Sequence, residues 1–173
     1  MRSTRPWPRG DSAVAERMGD LVDEATAEPR WALVAHTADR PGAVTAITGV
    51  FSSRGVNFES IVGSALIPSQ TTVIGLYRTS ERRSAQLVRS VGRLEVVDAV
   101  SARPADDPSV RAVGIMEVPD GTLVPPSAAS ATWTGDGTPE SPLLVKGSLR
   151  AVEQIAAQAH QAQGTAVVVV LAL

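Results

Sequence analysis

Cysteine is absent from the 173-residue chain. That excludes disulfides, thiolate nucleophiles and cysteine-held zinc or iron–sulfur centres. Histidine is nearly absent: His36 and His160 stand far apart in sequence, so a histidine-rich metal site is excluded too. There is no excess of charge of one sign. The net charge is −2, so no basic field draws in nucleic acid or an anionic membrane surface. Long hydrophobic runs are missing: the longest, Ala166 to Leu173, is far shorter than the about 20 residues a helix needs to span a bilayer. The start, Met1-Arg2-Ser3-Thr4-Arg5-Pro6-Trp7-Pro8, has arginines but no apolar region after them, so it does not read as a secretory signal. The expectation is a cytoplasmic protein without a nucleic-acid or membrane partner.

Enzyme signatures are lacking as well. The chain has no phosphate-binding loop of the Gly-x-x-x-x-Gly-Lys type, no dinucleotide glycine fingerprint after a strand and no Gly-x-Ser-x-Gly elbow. His36 falls in a strand pattern with no nucleophile beside it and reads as structural. His160 falls on the polar side of a helix and reads as solvated. Asp106-Asp107 reads as solvated linker charge and Arg82-Arg83 as an exposed helix start. No catalytic residue and no metal ligand is assigned.

What remains is a chain with 43% apolar and 20% charged residues, enough for a real core. Residues 1–30 form an N-terminal arm. Within it Val14, Met18, Leu21, Val22 and Ala25 make one stripe at helical spacing, and Pro29 ends it. This reads as a short amphipathic docking helix. Residues 31–104 follow with a strand at Trp31–Thr37, a loop Asp39-Arg40-Pro41-Gly42, and a helix carrying Val44, Ile47, Val50 and Phe51. Arg54-Gly55 closes that helix with a glycine suited to the left-handed cap. Val56–Ile67 and Thr71–Arg78 read as strands joined by a hairpin turn at Pro68-Ser69-Gln70. Ser80 opens a second helix with Leu87, Val88 and Val91 inward, and Leu94–Ala102 is a fourth strand. The order β-α-β-β-α-β predicts an α+β, ferredoxin-like unit with both helices on one sheet face. The other face then needs a second layer.

Residues 105–173 read as a smaller, diverged α+β domain. Its expected elements are strands at Val110–Val118, Ala131–Thr134 and Leu143–Gly147, and a helix capped by Ser148 and ended by Gly164. A last strand runs over Thr165–Leu173. One strong helix and a Pro/Gly-rich stretch over 119–142 give it the look of a decayed copy of the first.

One constellation could bind a ligand. Asp39-Arg40-Pro41-Gly42 leads into a helix N-terminus, whose free N–H groups and dipole favour a carboxylate. Gly42 allows close approach, Asp39 could hold an ammonium, and Asn57 offers donor and acceptor together. The split βαβ topology predicts that this loop and the Asn57 strand start lie at neighbouring corners. The competing reading is structural: Asp39 caps the helix, Pro41 begins it, and Asn57 serves a turn.

At these residues the sequence resembles the ACT domain, an amino-acid-sensing module. The segment Asp39-Arg40-Pro41-Gly42-Ala43-Val44 is similar to its first loop and helix start. The run Gly49-Val50-Phe51-Ser52-Ser53-Arg54-Gly55-Val56-Asn57-Phe58-Glu59-Ser60-Ile61 resembles Gly-Leu-Phe-Ser-x-Arg-Gly-x-Asn-Ile-Glu-Ser-Leu of the regulatory small subunit of acetolactate synthase, identical at eight of its thirteen positions. The resemblance implies a non-catalytic regulatory subunit without a cofactor of its own. It would pair as a homodimer through its ACT domains. It would activate a catalytic large subunit carrying thiamine diphosphate and magnesium, and sense valine or a related branched-chain amino acid at the pair interface. The implied ligand-binding positions are Asp39, Arg40, Pro41, Gly42, Ala43, Val44, Asn57 and Phe58. The sequence departs from that pattern at Asp39, where many members carry an amide. It departs again in the loop over Ser64–Thr72, in Pro119–Ser130 where a charged helix is usual, and in the arm. The alternative is a stand-alone ACT sensor or accessory protein with another partner.

Overall fold

Residue by residue, a computed structural model of the chain describes 28–119, 123, 125 and 130–172. The stripe over 12–27 lies outside the described residues. The first unit runs β1 (Arg30–Ala38), α1 (Ala43–Ser52), β2 (Phe58–Ile67), β3 (Gln70–Arg78), α2 (Glu81–Val91) and β4 (Val97–Pro104). Its antiparallel sheet has the order β2-β3-β1-β4, the ferredoxin-like arrangement expected. The second unit runs β5 (Val110–Glu117), β6 (Ala131–Thr134), β7 (Leu143–Ser148), α3 (Leu149–Gln161) and β8 (Thr165–Ala172). Its order, β6-β7-β5-β8, repeats that of the first sheet strand for strand. Among the described residues no helix stands between β5 and β6. Leu123 and the buried Val118 pack there against the core instead.

The helix ends follow local chemistry. Ser80 and Ser148 both sit in extended conformation and accept from the N–H of the residue three further on, Arg83 and Ala151. At the end of α1, Gly55 takes φ 63 while its N–H donates to the Ser52 carbonyl and that of Val56 to the Phe51 carbonyl. This is a Schellman close with glycine in the left-handed position. At the end of α3 the left-handed residue is Gln163, at φ 61, rather than Gly164. Gly164 is required for another reason: a Cβ there would overlap the Glu117 carbonyl oxygen. The second and fourth strands start later than expected. Val56 and Asn57 belong to the exit from α1, and Leu94–Val96 are used in a turn closed by Val97 N–H to the Leu94 carbonyl. As an edge strand, β4 then tolerates Pro104 at its end.

α1 and α2 cover one face of the first sheet. Leu33, Ala35, Ile47, Phe51, Val73, Tyr77, Leu87 and Val91 fill the space between. The Tyr77 hydroxyl shares a 2.8 Å hydrogen bond with Ser84 Oγ, and burial raises the phenol above its ordinary pKa against the pull of that bond. The opposite face is closed by the second unit. Ala32, Val34 and Leu76 are buried in one cluster with Val110, Met116, Val152 and Ile155. This is the second layer that the first sheet requires.

Arg30 ties the two units at their junction. Its Nε meets Glu59 at 2.6 Å and its Nη2 meets Glu153 of α3 at 2.7 Å, while Glu59 also takes Arg78 Nε at 2.7 Å. Burial works against the Arg30 charge, but Glu153 and then Glu59 outweigh it and raise the pKa above the usual arginine value. Glu153 keeps 37% of its side chain exposed, so solvent screens the pair. Glu153→Gln is expected to cost about 0.5–1 kcal/mol in urea unfolding. The loss should shrink in high salt. A loss unchanged by salt would mean that packing, not charge, couples the units there.

Candidate functional site

The loop between β1 and α1 is held against the β2–β3 hairpin. Asp39 N–H donates to the Ser69 carbonyl at 3.0 Å, and Thr71 Oγ1 donates to Asp39 Oδ1 at 3.0 Å. Ser69 takes φ 68 in a two-residue turn after Pro68, the left-handed place of a type II turn. Thr37, fully buried, donates to the Thr71 carbonyl at 3.3 Å and fixes the strand ends beneath the loop. The Asp39 carboxylate therefore faces the hairpin rather than capping α1. No side chain caps that helix.

Gly42 is the N-cap of α1, at φ 89 and ψ −7. Only glycine takes that conformation without strain. A Cβ built there would meet nothing within 4 Å, so the space above the helix start is open. Pro41 precedes the cap and shapes the approach to it, rather than opening the first turn as the structural reading expected. Ala43 is buried, its N–H bonded to the Arg40 carbonyl at 3.2 Å, and Val44 is 39% exposed. The Val44 side chain stands beside Gly63 of β2, where a Cβ would lie 3.9 Å from Val44 Cγ2 and from Thr71 Cγ2. Gly63, Ser69 and Thr71 thus belong to this corner. Sequence reasoning missed all three, because nothing local marks a residue that the fold brings in from across a hairpin.

The other half of the expected site lies elsewhere in the chain. Asn57 is exposed at the far end of α1, and Phe58 pairs with Tyr77, seven residues along β3 from Gln70. That separates them from Asp39 by about 24 Å along the strand. They are not neighbouring corners, because the second strand begins where the helix ends, not where it starts. Phe58 is partly buried. Its ring packs at 4.1 Å centroid distance from Phe51 and at 6.1 Å from Tyr77, and covers Gly75. The side chain of Asn57 has no hydrogen bond among the described residues.

This layout has relatives among solved structures. The acetolactate synthase small subunit from Thermotoga maritima superposes with a TM-score of 0.59 at 14% identity, covering 83% of this chain and 97% of that one. The fold is ACT-like. The ligand-free regulatory subunit of aspartate kinase from Thermus thermophilus is also similar, with a TM-score of 0.47, 16% identity, and coverage of 78% of this chain and 92% of that one. No protein-family model matches the sequence, and no curated protein matches it by sequence.

Several other polar residues make structural contacts. His36 Nδ1 lies 3.1 Å from Thr72 Oγ1 across the β1–β3 pair. The Arg83 guanidinium bonds the Arg54 carbonyl at the close of α1, and Arg54 Nη2 donates to Ser90 Oγ at 2.9 Å. Asp107 is more than linker charge. It accepts from the Ser109 hydroxyl at 2.6 Å and the Ser109 N–H at 2.9 Å, and these donors hold its carboxyl below the ordinary aspartate value. Among the described residues no group of His, Asp and Glu is placed to hold a metal ion, and no helix is long and apolar enough to cross a membrane.

Proposed function

We propose that this chain is a non-catalytic regulatory subunit. On this reading it binds a free amino acid, valine or a related branched-chain one, and acts on a thiamine-diphosphate- and magnesium-dependent carboligase of the acetolactate synthase type. The observation that carries the reading is the open, uncapped start of α1 above Gly42, with the Asp39 carboxylate on the adjoining loop. Helix N–H groups suit the carboxylate of an amino acid, and Asp39 suits its ammonium. The run from Gly49 to Ile61 and the ACT-like fold shared with an acetolactate synthase small subunit support the same reading.

The separation of Asn57 from Gly42 fits this proposal if two copies complete the site. β2 is an edge strand of ten residues with no proline before its end, and Ile61 on it is 37% exposed. Such an edge invites pairing. β2 runs from the Asn57 corner to the hairpin beside Asp39. An antiparallel pair of β2 strands related by a two-fold axis sets the start of one against the end of the other. Asn57 of one copy then faces the Asp39–Gly42 corner of its twin, and each pair holds two equivalent sites.

The test combines assembly and activity. Sedimentation at micromolar concentration should give a dimer. Addition of the chain should raise the rate of its carboligase partner, and valine, leucine or isoleucine should lower it again. Asn57→Ala should weaken amino-acid binding by about 1–3 kcal/mol, the worth of a buried amide bonded to a charged group, and leave thermal stability unchanged. A strict monomer would remove the shared site. Amino-acid binding by a dimer that leaves the carboligase rate unaltered would favour the stand-alone sensor.

A further inference from the structure

The second sheet is covered on one face by α3, while its other face lies open. Four of the six large apolar side chains exposed among the described residues stand on that face: Ile115 (51%), Leu144 (44%), Val167 (65%) and Leu171 (42%). Register aligns Leu144, Ile115 and Val167 in one row across β7, β5 and β8. A contiguous apolar patch of this kind marks a contact surface. Arg111 and Lys146 border it, and neither has an ion-pair partner among the described residues.

We propose that this face is the seat of the chain's own N-terminal arm, with the stripe Val14, Met18, Leu21, Val22 and Ala25 laid on it as a helix. Three observations favour this occupant. The first is charge. Over residues 11–25 the arm carries Asp11, Glu16, Asp20, Asp23 and Glu24 against Arg17 alone, opposite a face bordered by Arg111 and Lys146. The carboxylate on that face, Glu117, stands at its opposite end, toward which the arm's Arg2, Arg5 and Arg9 would run.

The second is where the arm joins the described structure. Pro29 lines a cleft with Leu149 and Arg150, directly after Ser148, and Ser148 pairs with Arg111, which pairs with Leu171. The four residues from Ala25 to Pro29 reach up to about 14 Å, enough to lead from that cleft toward the Ser148–Arg111–Leu171 end of the sheet. The third is length. Val14 to Ala25 as a helix spans about 18 Å. The face measures about 13 Å along β5 from Arg111 to Ile115 and about 14 Å across its four strands. One helix lying diagonally covers it.

The absence of cysteine makes a single label unique. The full chain with Met18→Cys is tagged with a nitroxide, and methyl resonances are compared with the label oxidised and reduced. Ile115, Leu144 and Val167 should lose most of their intensity, while Ile47, in the core of the first unit, keeps its own. A mixture of nitroxide-tagged chains with isotope-labelled untagged chains should show no loss. Arg111→Glu with Lys146→Glu in the tagged chain should restore the lost signals. Undiminished Ile115 and Val167 methyls in the tagged chain would overturn the proposal. So would loss of intensity in the mixture, which would assign the face to another copy.

Discussion

Alanine at position 164 is expected to cost about 3 kcal/mol, at the upper end of what overpacking does. Its new Cβ would overlap the Glu117 carbonyl oxygen, and would lie 2.8 Å from Val118 Cγ1 and 3.0 Å from the Ala159 carbonyl. Two of these three obstacles are backbone, so no rotamer change relieves them. Glu117 is the last residue of β5 and pairs with Thr165 at the start of β8. Gly164 N–H also closes α3 on the Ala159 carbonyl at 2.8 Å. The chain must therefore either lift β8 from β5 or open the end of α3. The neighbouring position behaves in the opposite sense. Gln163 holds φ 61, which costs an L-residue about 1 kcal/mol, so Gln163→Gly should recover about that amount. Urea unfolding of the two variants checks both signs. A Gly164→Ala chain as stable as the parent would mean that β8 and β5 are looser at that end than this packing requires.

That pair of positions shows what a sequence states and what it withholds. A glycine after a helical pattern reads as the left-handed cap, and Gly55 after α1 is one. After α3 the same sign points one residue too far, because the reason for Gly164 is the carbonyl of Glu117, 47 residues earlier in the chain. Signals within one element were readable: Ser80 and Ser148 cap the helices they precede, and the alternation over Val110–Glu117 gives β5 one buried and one open face. Strand order in the second unit was hidden. The stretch after Pro119 carries no helical pattern, yet β6-β7-β5-β8 repeats the first sheet. The candidate site divides in the same way. Asp39 and Gly42 were legible, being local to one loop. Gly63, Ser69 and Thr71 were not, because they reach that loop only through the β2–β3 hairpin. Asn57 was legible as a polar residue at a strand start. Its distance from Gly42 follows from the direction of α1, which a motif does not encode.

Gly42→Asp is expected to abolish amino-acid binding and leave the fold intact. The argument starts from the backbone. At φ 89 any side chain is strained, but aspartate and asparagine tolerate the left-handed region better than other residues, and the cost is held to about 1 kcal/mol. A Cβ meets nothing within 4 Å, so no steric term is added. An anion at a helix start is also favoured by the dipole, which offsets part of the strain. The same carboxylate occupies the space in which the ligand's carboxylate would meet the α1 N–H groups, and repels it. Gly42→Asn separates the two effects, because it carries the same strain and similar bulk without the charge. Calorimetry with valine, leucine and isoleucine should show no binding to Gly42→Asp and a weakened but measurable affinity for Gly42→Asn, with melting temperatures of the two close together. Equal loss in both would assign the effect to bulk above the helix start rather than to charge. Affinity for Gly42→Asp equal to that of the parent chain would remove the α1 N-terminus from the binding site, and with it the observation on which the regulatory reading rests.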